Sequence, residues 1–226
     1  TPTATRCLLP GQLEITCNLM ISSQNAILRL KEGNHRFATD LPSQSSLRNS
    51  SRRGELVAGQ QPMAIILGCS DSRVPAEIVF DQGLGDLFVI RVAGNIVAPS
   101  QIGSIEYAAE VTGARLVVVM GHSGCGAITA TIDQLARDEE HRSRNLNSIV
   151  DRIRPSVETL LETGIAHDRD ALIRYAVRAN IRASVDHLRH GSQILEKLIQ
   201  EDELVVVGAE YSLESGIVDF FDRAPK

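Results

Sequence analysis

The chain has 226 residues, of which 43% are apolar and 23% charged, and its formal net charge is −5. This length and balance are typical of a soluble globular protein with its own core, and they exclude a disordered or fibrous chain. The negative charge disfavours a broad nucleic-acid-binding face, because neutralising phosphates requires an excess of lysine and arginine. The longest apolar runs, such as 116–120, are far shorter than the roughly 18 residues that span a membrane.

Residues 1–22 show no clean periodicity and are interpreted as an N-terminal arm. This arm contains Cys7 and Cys17, two of the four cysteines in the chain. Four cysteines are too few for a disulfide scaffold at this length. Cys7 and Cys17 are therefore either inert, or paired with each other or across subunits in an oxidising compartment.

A helix is predicted from Ser23, as its N-cap, to about Thr39, because apolar residues recur on one side of it. The serine-rich stretch 41–54 that follows is predicted to be a surface loop. Its small basic cluster is compatible with a solvated loop or with a functional basic patch; the cluster comprises Arg48, Arg52 and Arg53.

Continuous apolar runs rich in β-branched residues predict strands that are buried on both faces, as in a parallel sheet. Helical segments are predicted between them, which is the alternation of an α/β fold with a mainly parallel central sheet flanked by helices. The predicted strands are 63–67, 87–92, 116–120 and 204–207. The predicted helices between them are 76–80, 102–112 and 127–136.

A nearly all-helical insert, 145–200, is predicted before the last core strand, in three pieces. Asp168 or a near neighbour caps the second helix, and Gly191 ends it. The whole chain, 1–226, is predicted to be one domain, with an arm and helix over 1–40 and an α/β core over 41–226.

The chemistry-bearing residues follow two of the predicted strands. Cys69 comes directly after the first strand, and His122 and Cys125 come directly after the third. Ligands of open α/β sheets bind beyond the carboxyl ends of the strands. Two thiolates and an imidazole are donors that Zn²⁺ prefers, and three protein ligands is the count of a catalytic site. Taken singly, each cysteine is also compatible with a small core residue.

Asp71 and Arg73 lie in the same segment as Cys69. If Arg73 holds the Asp71 carboxylate in a bidentate pair, the carboxylate stays ionised and accepts a hydrogen bond from a metal-bound hydroxide. If the pair breaks, Asp71 becomes a fourth ligand in a closed state. A site of this kind lowers the pKa of a bound water to about 7.

Two motifs carry a resemblance to a known family. Cys-Ser-Asp-Ser-Arg-Val at 69–74 and Gly-His-Ser-Gly-Cys-Gly-Ala at 121–127 resemble the two signatures of the β-class carbonic anhydrases. The resemblance continues through 85–91 and 104–108. It implies a lyase with one Zn²⁺ per subunit that interconverts CO₂ and bicarbonate by attack of zinc hydroxide on CO₂, in carbon utilisation. It also implies a homodimer or larger homo-oligomer with active sites at the subunit interface.

The resemblance implies a role for each matching residue. The zinc ligands are Cys69, His122 and Cys125, and the catalytic pair is Asp71 and Arg73. The implied substrate-binding residues are Gln60, Phe88, Ala93, Tyr107 and the backbone N–H of Gly126. Ala93 departs from the larger valine often found at its position, which would widen the pocket. Without the resemblance, Phe88 and Tyr107 are equally compatible with core positions and Gln60 with a loop.

Further expectations follow from the same resemblance. One branch of the family is inhibited by bicarbonate at a site that uses a tryptophan and an arginine. This chain has Arg91 at the arginine position but no tryptophan, so no such switch is expected. A cytoplasmic protein is expected, with a periplasmic or organellar one if a targeting segment preceded Thr1. Two alternatives stay open: a zinc hydrolase of the same fold that acts on CS₂ or COS, and a noncatalytic zinc- or bicarbonate-binding protein.

Overall fold

The computed structural model describes residues 21–41, 50–135, 143–201 and 203–222. The predictions for the arm, including Cys7 and Cys17, and for Arg48 lie outside these residues. No helix in the described ranges combines the length and the apolar content needed to cross a bilayer.

A mostly parallel sheet forms the centre of the fold. Within the described ranges it has five strands in the order β2-β1-β3-β4-β5. β1 to β4 run parallel to one another, and β5 is antiparallel to β4. The strands are β1 (Ala64–Gly68), β2 (Leu87–Arg91), β3 (Leu116–His122), β4 (Val205–Tyr211) and β5 (Val218–Asp222). The predicted α/β class is confirmed, and β5 is a strand that the sequence analysis missed.

The burial of the strands follows their place in the sheet. Every residue of β1 and of β3 is buried, as continuous apolar runs predict for strands covered on both faces. The same prediction is wrong for β2, whose residues are half-buried or exposed. β2 lies at the edge of the described sheet, so its side chains are less completely covered than those of the inner strands.

Helices cover the sheet. They are α1 (Ser23–Ala38), α2 (Ser50–Glu55), α3 (Ala76–Val79), α4 (Pro99–Tyr107), α5 (Gly126–Leu135), α6 (Arg144–Leu161), α7 (Arg169–His190) and α8 (Gln193–Gln200). Short 3₁₀ turns span Leu56–Ala58, Ala93–Asn95 and Gly164–His167, and a π-helical turn spans Ala108–Thr112.

Two helix starts and one whole helix differ most from the predictions. Ser22, not Ser23, caps α1, because its side chain accepts the backbone N–H of Asn25. α2 begins inside the stretch 41–54 predicted to be a loop and ends one residue beyond it; its Arg52 donates to Glu55 and to the carbonyl oxygen of Leu84. The helix predicted over 102–112 begins earlier, at Pro99, and changes to a π-helical turn after Tyr107.

The helical insert matches its prediction closely. Asp168 caps α7 by accepting the backbone N–H of Ala171, and Gly191 follows its last residue. α7 packs so near the sheet that a Cβ atom added at Gly121 of β3 would lie only 2.6 Å from Cδ1 of Ile181. A side chain at Gly121 would therefore push α7 away from the strand that carries His122.

Candidate metal centre

The three predicted ligands come from the carboxyl ends of two adjacent strands. Cys69 directly follows β1, and His122 is the last residue of β3 rather than the first residue after it. Cys125 directly precedes the first residue of α5. Since β1 and β3 are parallel neighbours, with Gly68 paired to Met120, their carboxyl ends meet at the same edge. The topology thus brings together residues more than 50 positions apart in the sequence.

The ligand atoms are close and buried. The sulfur atoms of Cys69 and Cys125 are 3.9 Å apart. These two atoms and a ring nitrogen of His122 all lie within 4.8 Å of one another. Nδ1 of His122 lies 3.0 Å from the carbonyl oxygen of Ser123, so the tautomer that donates from Nδ1 leaves the lone pair of Nε2 free. Nε2 is buried and has no hydrogen-bond partner among the described residues.

This donor set fits a metal ion. Two sulfurs and one imidazole nitrogen that converge within a few ångströms match the ligand chemistry of tetrahedral Zn²⁺. A bound cation would also satisfy the buried Nε2 atom, which otherwise carries the cost of an unpaired buried polar group. Three side chains leave one tetrahedral position for another ligand.

The groups around the two sulfur atoms favour a negative charge on Cys69. Hydrogen bonding with Cys125 lowers the pKa of Cys69 against the opposing effect of burial, with smaller contributions from the neighbouring His122 and from the backbone N–H groups of Asp71 and Gly94. The same Cys69–Cys125 bond, together with burial, raises the pKa of Cys125. A lowered pKa at Cys69 favours the thiolate, which is the form of cysteine that binds metal.

Asp71 is held by Arg73 beside the three ligands. Its Oδ1 accepts from Nε of Arg73 at 2.9 Å and from the Arg73 backbone N–H at 3.0 Å, and its Oδ2 accepts from Nη2 at 2.7 Å. These bonds keep the pKa of Asp71 well below its usual range, chiefly through the Arg73 side chain. Oδ2 lies 3.8 Å from Nε2 of His122. The carboxylate is thus ionised and paired with Arg73, as the bidentate alternative predicts.

Arg91 has a contact that the sequence analysis did not anticipate. Its Nε donates to the carbonyl oxygen of Cys69 at 3.0 Å, and its Nη2 donates to that of Asp71 at 2.6 Å. Arg91 is the last residue of β2 and thereby fastens the segment after β1 to the neighbouring strand. An arginine at the end of a strand beside the Cys-Ser-Asp segment was the available signal for this role.

The predicted substrate-binding residues divide into two groups by position. Ala93 and Gly126 lie at the edge of the sheet where the metal ligands converge, and a Cβ atom at Gly126 would meet nothing within 4 Å. Gln60, which is exposed, precedes the amino end of β1, whereas Cys69 follows its carboxyl end. Four residue steps along β1 span roughly 13 Å. The structure therefore does not bring Gln60 to Cys69 of the same chain.

Phe88 and Tyr107 form an aromatic pair on the edge strand. Their ring centroids are 6.2 Å apart, with the ring planes inclined by 42°. Phe88 pairs in register with Ile65 of β1, near the amino end of that strand rather than beside Cys69. Tyr107 is 51% exposed, which is unlike a core residue.

The fold and the centre define an α/β protein with a buried Cys₂His metal site and an adjacent ionised carboxylate. Comparison with known proteins assigns the chain to a family. The carbonic anhydrase family model matches residues 64–218. Carbonic anhydrase 2 of Mycobacterium tuberculosis is 40% identical over 189 residues, which cover 83% of this chain and 87% of that protein. The chain belongs to the β-class carbonic anhydrases.

Solved structures agree with this assignment. The structure of the β-carbonic anhydrase CcaA superposes with a TM-score of 0.67 at 26% identity, covering 87% of this chain and 98% of that one. A tetrameric β-carbonic anhydrase from the ascomycete Sordaria macrospora superposes with a TM-score of 0.66 at 24% identity, covering 76% of this chain and 87% of that one. At 24% identity, the similarity to the Sordaria structure is evidence for the fold.

Proposed function

We propose that this protein catalyses the reversible hydration of CO₂ to bicarbonate and a proton, with Zn²⁺ held by Cys69, His122 and Cys125. The observation that carries the proposal is the convergence of these three side chains next to a carboxylate that Arg73 keeps ionised. Bound zinc supplies a water whose pKa is lowered to about 7.

The protein's own residues orient the reaction. Asp71 is charged throughout the neutral range and offers Oδ2 as a hydrogen-bond acceptor 3.8 Å from Nε2 of His122. Arg73 fixes that carboxylate from two directions, which limits its motion toward the metal ligands. Because a carboxylate accepts and does not donate, it selects a nucleophile that presents an O–H group. Gly126, open on its Cα side, leaves room for a small substrate.

The placement of Gln60, Phe88 and Tyr107 supports an oligomer with shared sites. These residues lie on or near edge strand β2 or before the amino end of β1, away from Cys69 of their own chain. They contribute to a substrate pocket if a second copy packs against β2. Each active site then takes its metal ligands from one copy and part of its pocket from the other.

The edge of the sheet supports the same proposal. β2 is bonded on one side only within the described sheet. Two exposed apolar side chains lie near it: Leu84, which precedes the strand, and Tyr107, whose ring contacts that of Phe88. A second copy would cover both the strand edge and these side chains, and either feature left open invites association. The Sordaria relative is tetrameric, and we propose a dimer here as the smallest unit with complete sites.

Two alternatives keep the same site and change its use. A hydrolase acting on CS₂ or COS would differ in how the substrate reaches the site, and a noncatalytic binding protein would not need an ionised carboxylate beside the metal. The intact Asp71–Arg73 pair favours an enzyme. The absence of a bicarbonate switch and the cytoplasmic location stay predictions.

Stopped-flow CO₂ hydration on a sample whose metal content has been measured tests the proposal. We expect one zinc per subunit and catalysed hydration above the buffer rate. Zinc without CO₂ hydration would contradict the proposal, and assays with COS and CS₂ on that same sample would then separate the hydrolase from the binding protein.

A further inference from the structure

Helix α7 packs against β3 and β4, and two of its buried polar side chains form hydrogen bonds with the turn that follows β2. Asn180 is 2% exposed and donates from Nδ2 to the carbonyl oxygen of Gly94 at 2.8 Å. One helical turn further on, Ser184 is 5% exposed and its hydroxyl donates to the carbonyl oxygen of Asn95 at 3.1 Å. Two successive carbonyls of one tight turn are thus held by one face of one helix.

The turn that they hold has an uncommon backbone. Gly94 has φ +69° and ψ +17°, and Asn95 has φ +44°, so two consecutive residues occupy the left-handed region. A Cβ atom at Gly94 would lie 2.8 Å from Cδ1 of Ile153 and 3.2 Å from Cβ of Ala127. Glycine is therefore required at position 94. Because glycine also adopts many other backbone conformations, the local sequence does not select this one.

The turn directs a hydrogen-bond donor at a metal ligand. The backbone N–H of Gly94 donates to Sγ of Cys69 at 3.4 Å. The N–H and the C=O of Gly94 lie on either side of its two rotatable bonds. Holding the carbonyl therefore restricts the directions in which the N–H can point. A donor on a thiolate withdraws electron density from the sulfur and fixes its position.

We infer that Asn180, assisted by Ser184, is a positioning residue for the metal centre, which it acts on through the Gly94 N–H bond to the Cys69 sulfur. Asn180 bonds to Gly94 and, among the described residues, forms no hydrogen bond to a metal ligand. It determines how strongly Cys69 donates to the metal and how firmly the metal is held. The inference rests on the proposed metal centre, but its test does not require CO₂ turnover.

The test replaces Asn180 with leucine, which has a similar volume and no donor. Metal-free protein is loaded with Co²⁺ alone for spectroscopy, and Zn²⁺ affinity is measured in competition with a chelator. In Asn180→Leu we expect the sulfur-to-cobalt charge-transfer band to move to longer wavelength, because a sulfur without its N–H donor releases electron density more readily. We expect the Kd for Zn²⁺ to rise roughly 10- to 100-fold, because the turn that fixes the position of the Cys69 sulfur is no longer held, and this loss outweighs the stronger donation of a freer sulfur.

Asn34→Ala is the matched control. Asn34 is a second buried asparagine, 5% exposed, that donates to the carbonyls of Val79 and Gly216 and accepts the backbone N–H of Val218. Within the described residues it forms no hydrogen bond to the turn 93–95 or to a metal ligand. This variant should lower the unfolding temperature and leave both the cobalt band and the Kd for Zn²⁺ unchanged. A shift of the band in Asn34→Ala equal to that in Asn180→Leu would overturn the inference, because general loosening would then explain both.

Each of the other outcomes either supports or overturns the role of Asn180. A folded Asn180→Leu protein with the wild-type band and a Kd within about twofold of wild type would show that Asn180 does not act on the centre. If Asn180→Leu does not fold, Ser184→Ala decides: a smaller shift in the same direction supports the inference, and an unchanged band overturns it. A wild-type protein that binds neither Co²⁺ nor Zn²⁺ would overturn the metal centre itself, and this inference with it.

Discussion

Asp71 and Arg73, two residues apart, form a bidentate ion pair in which the arginine also donates its backbone N–H to the same carboxylate. The short spacing lets one loop supply both the charge and the group that restrains it. The pair lies beside three buried ligands, so a negative charge is held next to the metal site without entering the cluster of ligand atoms.

Cys69→Ser should release the metal. A serine hydroxyl is a much poorer zinc ligand than a thiolate, and the two remaining side chains do not complete a catalytic ligand set. Elemental analysis of the purified protein should find far less than one zinc per subunit, with CO₂ hydration near the buffer rate. Ser72→Ala, an exposed change in the same loop, should keep its zinc. Full zinc content and full activity in Cys69→Ser would show that the ligand assignment is wrong.

Asp71→Asn should keep the metal and lower turnover. The amide preserves the shape of the side chain but loses the charge that accepts a hydrogen bond from the nucleophile. We expect kcat/KM for CO₂ hydration to fall on the order of 100-fold, with unchanged zinc content. Asp186→Asn, whose side chain is 76% exposed on α7, is the control and should match wild type. Undiminished turnover in Asp71→Asn would remove Asp71 from the mechanism.

The Asp71–Arg73 pair also predicts how stability responds to acid. The pKa of Asp71 is below its ordinary value of 3.8 in the folded protein, so its contribution to stability is present above pH 3.8 and is lost as the pH falls through the folded pKa. The free energy of unfolding of wild type relative to Asp71→Asn should be constant from pH 5 to 7 and should shrink below about pH 4. Arg73 is 57% exposed, so solvent screening keeps the difference small. Urea titrations across this range measure it, and a difference that grows in acid would contradict the assignment.

A subunit mixture tests whether sites are shared. We expect Cys69→Ser and Gln60→Ala homodimers each to be impaired in CO₂ hydration. In a heterodimer purified through two different tags, the copy with intact Cys69 would receive an intact Gln60 from the copy that lacks the metal ligand. About half of the wild-type activity should return, because one of two symmetric sites is complete. If Gln60 served the site of its own chain, neither site would be complete and no activity would return.

Gly121→Ala should destabilise the protein by acting on α7. The added Cβ atom would lie 2.6 Å from Cδ1 and 2.7 Å from Cγ1 of Ile181, and overpacking of this kind costs about 1–3 kcal/mol. Ile181→Ala in the same chain should recover part of that loss, so the double variant should be more stable than the sum of the single effects predicts. Strict additivity in urea titrations would show that the two residues do not meet.

Much of the fold could be predicted because its signals are local. The apolar runs at 63–67 and 116–120 are continuous because both faces of those strands are covered, and Asp168 and Gly191 mark the ends of α7 by their own backbone preferences. β5 was missed because its five residues, Val-Asp-Phe-Phe-Asp, are neither a continuous apolar run nor a strict alternation of polar and apolar residues. α2 was missed because a serine-rich composition favours a loop, whereas Arg52 forms contacts with Glu55, Leu84 and Asp86 that only the folded chain provides.

The sequence by itself determined the donor set of the centre, the strands that carry it and the spacing of Asp71 from Arg73, because ligand chemistry depends on residue types and short-range geometry on their spacing. Tertiary structure alone decided that Arg91 bonds to the segment after β1, that Asn180 bonds to the turn after β2, and that Gln60 lies at the amino end of β1, opposite Cys69. These relationships join residues between 20 and 86 positions apart or depend on which end of a strand a loop occupies. No local preference encodes such pairings, since they arise when parallel strands and a packed helix bring distant backbone groups within hydrogen-bond distance.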